Sequence, residues 1–332
     1  MKSLDQKLTK IRDGGYTPKD FIIADAKDAD MALGQMAPGP AKGQEAIGHA
    51  HAIASRKAYL EAMRKIVHSE AVDILLASAS TIEILAGEKL FESSAVTPAV
   101  RCNDTTDIWS PRGGRYAKAQ SRPFRTANLE AVRKFVDLGL YSITFSNDPD
   151  RDLYTLEAYS QFREDSAAIG MRHFLEVFNP PADADLPPES VGTFVGDSIT
   201  RCLAGVVSAQ QPVFLKIAFN GRRAMEELTA YDPERLIVGI LGGAKGTTRD
   251  LFELLSQSVR AGARVALFGR KINYADDPVT LLGLMRRVIE GDVAPKEAVR
   301  LYHDALQSWG IQPTLSLEED IVVSDPVLKL EM

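Results

Sequence analysis

Three ionisable residues stand within, or directly after, stretches that are otherwise apolar: Asp25 after FIIA, Glu176 within HFLEVF and Lys216 within PVFLKIA. Side chains alternate faces along a strand, so Phe174, Glu176 and Phe178 share one side, as do Phe214, Lys216 and Ala218. Taking an amine out of water disfavours its charged form, and a neutral amine attacks a ketone to give a Schiff base. The protonated imine is an electron sink for the carbanion left when the adjacent carbon–carbon bond breaks. A carboxylate alongside must dehydrate the carbinolamine and take a hydroxyl proton during cleavage, and Glu176 and Asp25 are the candidates. Two plainer readings stand beside this one: Lys216 and Glu176 as a buried structural ion pair, and Asp25 as a cap for the loop after it.

A second group lies in Arg235–Asn273, RLIVGILGGAKGTTRDLFELLSQSVRAGARVALFGRKIN. It reads as strand, Gly-Gly loop, amphipathic helix, turn, strand and Gly-Arg loop. The two strands end at Gly242-Gly243 and Gly269-Arg270, with Lys245 just beyond the first pair. Glycine lets backbone N–H groups approach an anion, a helix N-terminus favours negative charge, and a cation completes the cage. The last two strands of a (β/α)8 barrel build a phosphate site in this way. Either pair alone would serve as a tight turn; two pairs one strand apart, each near a cation, favour an anion site.

These residues need a scaffold, and the chain supplies one. Apolar runs at 21–24, 72–76, 98–102, 141–146, 173–178, 212–218, 237–241 and 265–268 read as strands. Helical spacing recurs between them, at 45–67, after residue 80, and at 129–138, 154–169, 189–208, 222–228, 251–259 and 278–290. Eight strands alternating with eight helices fit a single α/β domain over 1–332. It is a (β/α)8 TIM barrel over about 18–290, with an extra N-terminal helix at 3–14 and a C-terminal helix and tail at 291–332. A doubly wound open sheet is the alternative, but its phosphate glycines would follow the first strand, where Asp25 stands. Neighbouring parallel strands would set Glu176 and Lys216 at one height, both pointing into the barrel. The segment 26–43, with Lys27, Asp28 and Asp30, and the segment 103–127 read as long loops on the strand-end face.

Composition limits the partners. A net charge of −6 gives no basic footprint for nucleic acid or an anionic membrane, so positive charge for an anionic substrate must be local. Cys102 and Cys202 are 100 residues apart, which argues for a reducing compartment and against a disulfide framework. The segment MKSLDQKLTKIRDGG lacks a signal-peptide core, and no run of about 18 apolar residues occurs; a cytoplasmic protein is expected. Five histidines do not cluster as ligands, which argues against a metal-dependent route, and no cofactor is expected.

The motifs FLKIAFNG, LGGAKGTTRDLFELL and AGARVALFGRKIN resemble the prokaryotic-type class I (Schiff-base) aldolases of the fructose-bisphosphate and tagatose-bisphosphate group, over about residues 15–290. The resemblance implies a metal-independent lyase acting on a phosphorylated sugar or keto substrate, in a homo-oligomer. It implies Lys216 as the imine lysine, Asp25 as the first-strand aspartate, and Gly242, Gly243, Gly269 and Arg270 as the phosphate site. FLEVFNP resembles the tagatose-type branch, in which the fifth-strand glutamate is the acid–base, and so supports Glu176. Three positions depart from the family: Phe178 for a catalytic tyrosine, Ser142 for a substrate-binding lysine, and Ala26-Lys27 after Asp25. They leave the imine lysine and phosphate cage in place and change the rest of the pocket. Lys27, Arg101 and Lys245 are further candidates for substrate contact, Arg101 for a second anionic group. The alternatives are a phosphosugar isomerase, epimerase or acyltransferase on the same barrel, or a non-catalytic phosphosugar-binding protein.

Overall fold

The computed structural model describes residues 1–41, 53–116, 120–243 and 246–330. Its main sheet is a closed barrel of eight parallel strands: β1 Ile22–Lys27, β2 Ile74–Ala77, β3 Thr97–Arg101, β4 Leu138–Thr144, β5 Arg172–Phe178, β6 Leu215–Ile217, β7 Val238–Leu241 and β8 Val265–Phe268. Each strand neighbours its predecessor, and β8 pairs back onto β1 through Ile22–Val265 to Asp25–Phe268. Helices Arg56–Ser69, Ala79–Gly87, Leu129–Arg133, Pro149–Ala168, Val191–Ala204, Arg222–Tyr231, Thr248–Arg260 and Pro278–Ile289 follow the strands in turn. This is the (β/α)8 barrel expected from the alternation of periods.

Strand parity divides the core in two. Ile22, Ala24, Ala26, Ile74, Leu76, Ala99, Leu138, Leu140, Phe174, Phe214, Val265 and Leu267 fill the barrel. The helix Ser3–Arg12 adds Leu4, Leu8 and Ile11 to that cluster and closes one end of the barrel. Each of these three is essentially out of water, a gain of about 1.5–3 kcal/mol apiece. The alternate residues, among them Ile23, Leu75, Val100, Tyr141, Leu175, Leu215, Val238 and Phe268, pack against helix side chains such as Met63, Phe162, Ile199 and Leu255.

Four segments differ from the sequence reading, the first being the loop expected at 26–43, whose Ala26 and Lys27 belong to β1 and whose Ala29–Leu33 is helical. The helix expected at 129–138 stops at Arg133, because Leu138 must already be extended to pair with Arg172. The helix expected at 45–67 is seen as Arg56–Ser69, and its part before residue 53 lies outside the described residues. The long loop after β3 has structure of its own: Asp104–Thr105 pairs antiparallel with Pro123–Phe124, and the Trp109 ring lies 4.5 Å from Tyr116 and 5.6 Å from Phe124. Thr144 at the end of β4 donates to Asp107 Oδ2 (2.8 Å), which ties this flap to the barrel rim. The tail docks on the chain's own surface: Asp320 accepts from the Thr248 N–H at 2.6 Å, and Leu328 is buried. No helix among the described residues is long and apolar enough to cross a membrane.

Candidate active site

The polar residues of the barrel interior come from the strand ends just above the apolar plug. Register sets Ser142 of β4 opposite Glu176 of β5, and Glu176 opposite Lys216 of β6. All three are buried, and they face inward because Leu140, Phe174 and Phe214, two residues earlier, lie in the interior cluster. Lys216 Nζ is 2.6 Å from Glu176 Oε1, and Ser142 Oγ donates to Glu176 Oε2 at 2.7 Å. Gly239 of β7 is the next neighbour in register. A Cβ there would lie 2.6 Å from the Leu215 carbonyl oxygen and 2.8 Å from Val265 Cβ, so this position admits no side chain.

Arg101, at the end of β3, completes the cluster. Its guanidinium lies 2.8 Å from Asp28 Oδ2, 2.8 Å from the Asn103 carbonyl, 2.9 Å from Asp104 Oδ1, 3.1 Å from Ser142 Oγ and 3.6 Å from Glu176 Oε2. Arginine only donates, and each of its three nitrogens already faces an oxygen here. Burial alone would raise the Asp28 pKa, but the charges of Arg101 and Lys216 hold it below the ordinary aspartate value. Burial pushes Asp104 up to about 6 against the pull of Arg101, with Asp28 and Glu176 adding like-charge repulsion. Burial would lower the Arg101 pKa, yet Asp28, Glu176 and Asp104 hold it above the usual arginine value.

The two glycine loops lie beside this cluster, after β7 and β8. Arg270 reaches across and donates to the Gly243 carbonyl at 3.0 Å, so one side chain joins both loops. Gly243 has φ +63°, and a Cβ on Gly269 would lie 2.5 Å from the Ala26 carbonyl oxygen. The short helix Arg270–Asn273 starts immediately after Gly269. A helix N-terminus contributed by Thr248–Arg260 is already in use: its first amides go to Asp320 and to the Thr247 hydroxyl. Neither of these two amides is left for an anion, and the Gly242-Gly243 and Gly269 backbones stand as the candidates. Lys245 lies outside the described residues.

Two candidates stand elsewhere. Asp25 pairs in register with Phe268 and Leu75, and Lys27 with Ala77, all members of the helix-facing core. Asp25 and Lys27 therefore point away from the barrel interior, where they form their own buried ion pair at 2.7 Å. Burial raises the Asp25 pKa, with Lys27 opposing. The reason is parity: β1 runs on to Lys27, so the interior series is Ala24, Ala26, Asp28. Asp28 is the carboxylate that this end of β1 brings to the cluster, and Asp28, Asn103 and Asp104 were the residues missed. Counting by twos from an apolar interior residue was the signal for Asp28, and the same count from Ala99 gives Arg101. Asn103 carried no signal of its own.

No family model matches the sequence, and no curated protein matches it. Solved structures do. An archaeal fructose 1,6-bisphosphate aldolase is similar with a TM-score of 0.62 at 14% identity, over 87% of this chain and 99% of that chain. The fructose-bisphosphate aldolase from Slackia heliotrinireducens DSM 20476 gives 0.65 at 14% identity, over 91% and 90%. An archaeal fructose-1,6-bisphosphate aldolase whose catalytic lysine is covalently bound to the carbinolamine intermediate of its substrate gives 0.61 at 14% identity, over 87% and 100%. These likenesses show a shared barrel fold.

Proposed function

We propose that the chain is a class I aldolase that cleaves or forms a phosphorylated ketose or related keto compound through an imine on Lys216. The observation that carries this is the Lys216–Glu176 pair: a lysine amine 2.6 Å from a carboxylate oxygen, in register on adjacent strands, at the mouth of a barrel. One and two strands on, the glycine loops offer backbone N–H groups and the exposed Arg270 to a phosphate. The solved aldolases of this fold, one of them captured as a lysine carbinolamine, support the same chemistry here.

The substrate phosphate binds at Gly242, Gly243, Gly269 and Arg270, and its carbonyl carbon then faces Lys216. The Lys216 ammonium passes one proton to Glu176, the amine that results adds to the carbonyl, and the proton the nitrogen then sheds goes to the new alkoxide to give the carbinolamine. Glu176 returns its proton to the carbinolamine hydroxyl, which leaves as water as the C=N bond forms. In the cleavage direction Glu176 takes the proton of the hydroxyl β to the imine carbon. The carbon–carbon bond breaks, an aldehyde departs, and the electron pair moves into the iminium to give an enamine. Arg101, matched by Asp28 and Asp104, is a fixture of the pocket wall rather than a receptor for a second phosphate. This route uses no metal.

The test is borohydride trapping with dihydroxyacetone phosphate. Reduction is expected to add the mass of the reduced ketone to the peptide that holds Lys216, and Lys216→Met is expected to lose both the adduct and turnover. An adduct on another lysine, or undiminished turnover in Lys216→Met, would overturn the assignment.

A further inference from the structure

The geometry points to Ser142 and Arg101 as positioning residues that divide the two oxygens of Glu176 into a fixed acceptor and a working oxygen. This rests on the imine reading above and adds to it which atom carries the proton. Arg101 Nη2 lies 3.1 Å from Ser142 Oγ. A guanidinium has no acceptor, so the serine oxygen must accept there. A serine hydroxyl has one proton, and that proton is left for Glu176 Oε2 at 2.7 Å. Hydrogen bonding therefore runs one way, from Arg101 through Ser142 to Glu176 Oε2.

The chain is held at both ends. The Asn103 side chain accepts from the Ser142 N–H at 2.6 Å and donates to the Ser142 carbonyl at 2.8 Å, which pins the serine backbone. Asp28, Asp104 and the Asn103 carbonyl fix the guanidinium at 2.8–2.9 Å. A proton on Oε2 would face the Ser142 proton and break this run. A proton on Oε1 leaves it intact, and Oε1 is the oxygen 2.6 Å from Lys216 Nζ. Proton transfer thus takes place on the lysine side of the carboxyl group. In the dehydration step the Oε1 proton passes to the carbinolamine hydroxyl, the C–O bond breaks, and the nitrogen lone pair forms the C=N bond. The products are iminium, water and the Glu176 carboxylate, so atoms and charge balance.

Ser142→Ala removes the hydroxyl that holds Oε2, and Ser142→Thr keeps it. The measurements are the rate at which borohydride fixes dihydroxyacetone phosphate onto Lys216, the dissociation constant of that ketone from calorimetry, and the urea midpoint. Ser142→Ala is expected to slow trapping about 30-fold, with the dissociation constant within about threefold of wild type and the fold intact; Ser142→Thr is expected to restore trapping to within about threefold. A role in structure alone would lower the urea midpoint without separating trapping rate from binding. Wild-type trapping with an unchanged rate in Ser142→Ala overturns this assignment alone, as does a loss in both variants alike. A wild-type protein that never fixes the ketone on Lys216 overturns the imine reading and this assignment with it.

Discussion

The barrel wall carries two buried lysine–carboxylate pairs, one on each face. Lys216 and Glu176 are 2.6 Å apart with side chains 7% and 3% exposed; Lys27 and Asp25 are 2.7 Å apart at 2% and 0%. By distance and burial they are nearly the same object. Their surroundings differ. The second oxygen of Glu176 is held by Ser142 and approached by Arg101, and the glycine loops stand nearby. The second oxygen of Asp25 is buried with no hydrogen-bond partner among the described residues, and the pair is shut between β1 and the helix layer, where Tyr59 donates to the Lys27 carbonyl. A buried ion pair seldom repays its desolvation, so neither pair is evidence of function by itself. What separates them is the face of the strand and the groups beside it.

Removing the two lysines breaks this comparison most directly. Lys216→Met is expected to cut turnover by about four orders of magnitude, roughly 5.5 kcal/mol of barrier, with the barrel intact because Ser142 and Arg101 still hold Glu176. Circular dichroism and steady-state rates check both halves of that statement. Lys27→Met does the reverse. It strands Asp25 as an uncompensated buried carboxylate, expected to cost about 3–5 kcal/mol in urea unfolding, while kcat of the folded protein stays within about threefold. Changing Asp25→Asn as well removes the stranded charge and is expected to recover most of the loss. If Lys27→Met abolished turnover without lowering stability, the roles of the two pairs would have to be exchanged.

Most of this architecture was legible in the sequence. Apolar runs marked the strands, and parity within HFLEVF and PVFLKIA turned Glu176 and Lys216 inward. At β1 the candidate Asp25 rested on its place at the strand end and not on parity. Continued to Lys27, the strand turns Asp25 outward and brings Asp28 into the pocket. Ser142 and Arg101 were visible as residue types, but their part in the cluster depends on which strand sits beside which, and at what height. That information lies in register rather than in local spacing. The flap after β3 was read as loop because its pairing is two residues long and its packing of Trp109 against Tyr116 spans seven residues without a period.

Charge sharpens the contrast between the faces further. Asp104 has its pKa raised to about 6, so the fold prefers its neutral form. For a raised carboxylate the contribution to stability is full below the unfolded value and is lost as pH rises through the folded one. The window is therefore about pH 4 to 6, and the loss across it is up to about 3 kcal/mol. Asp104→Asn stays neutral throughout. Relative to wild type, this variant is expected to gain about 2 kcal/mol in urea stability when the buffer is moved from about pH 4.5 to about 7.5. A gain by the wild type instead would mean that the Arg101–Asp104 contact at 2.9 Å outweighs burial.

The smallest expected effect decides what the glycine loops do. Arg270 is exposed and at present donates to the Gly243 carbonyl, so it could be a brace between loops as well as a phosphate ligand. The two roles predict different kinetics. A ligand lost from the phosphate costs about 1.5 kcal/mol, or about tenfold in KM for a phosphorylated substrate, and nothing for the same compound without its phosphate. A lost brace would loosen both loops and weaken both substrates alike. Arg270→Ala is expected to raise KM about tenfold for the phosphorylated compound only, with kcat nearly unchanged, because the Asn273 N–H still donates to the Gly269 carbonyl at 2.8 Å and holds that turn. Equal losses on the two substrates would leave Arg270 as a brace. The anchor would then rest on the backbone N–H groups of the loops, and the discrimination between phosphorylated and free substrate, measured in Arg270→Ala, would report their share alone.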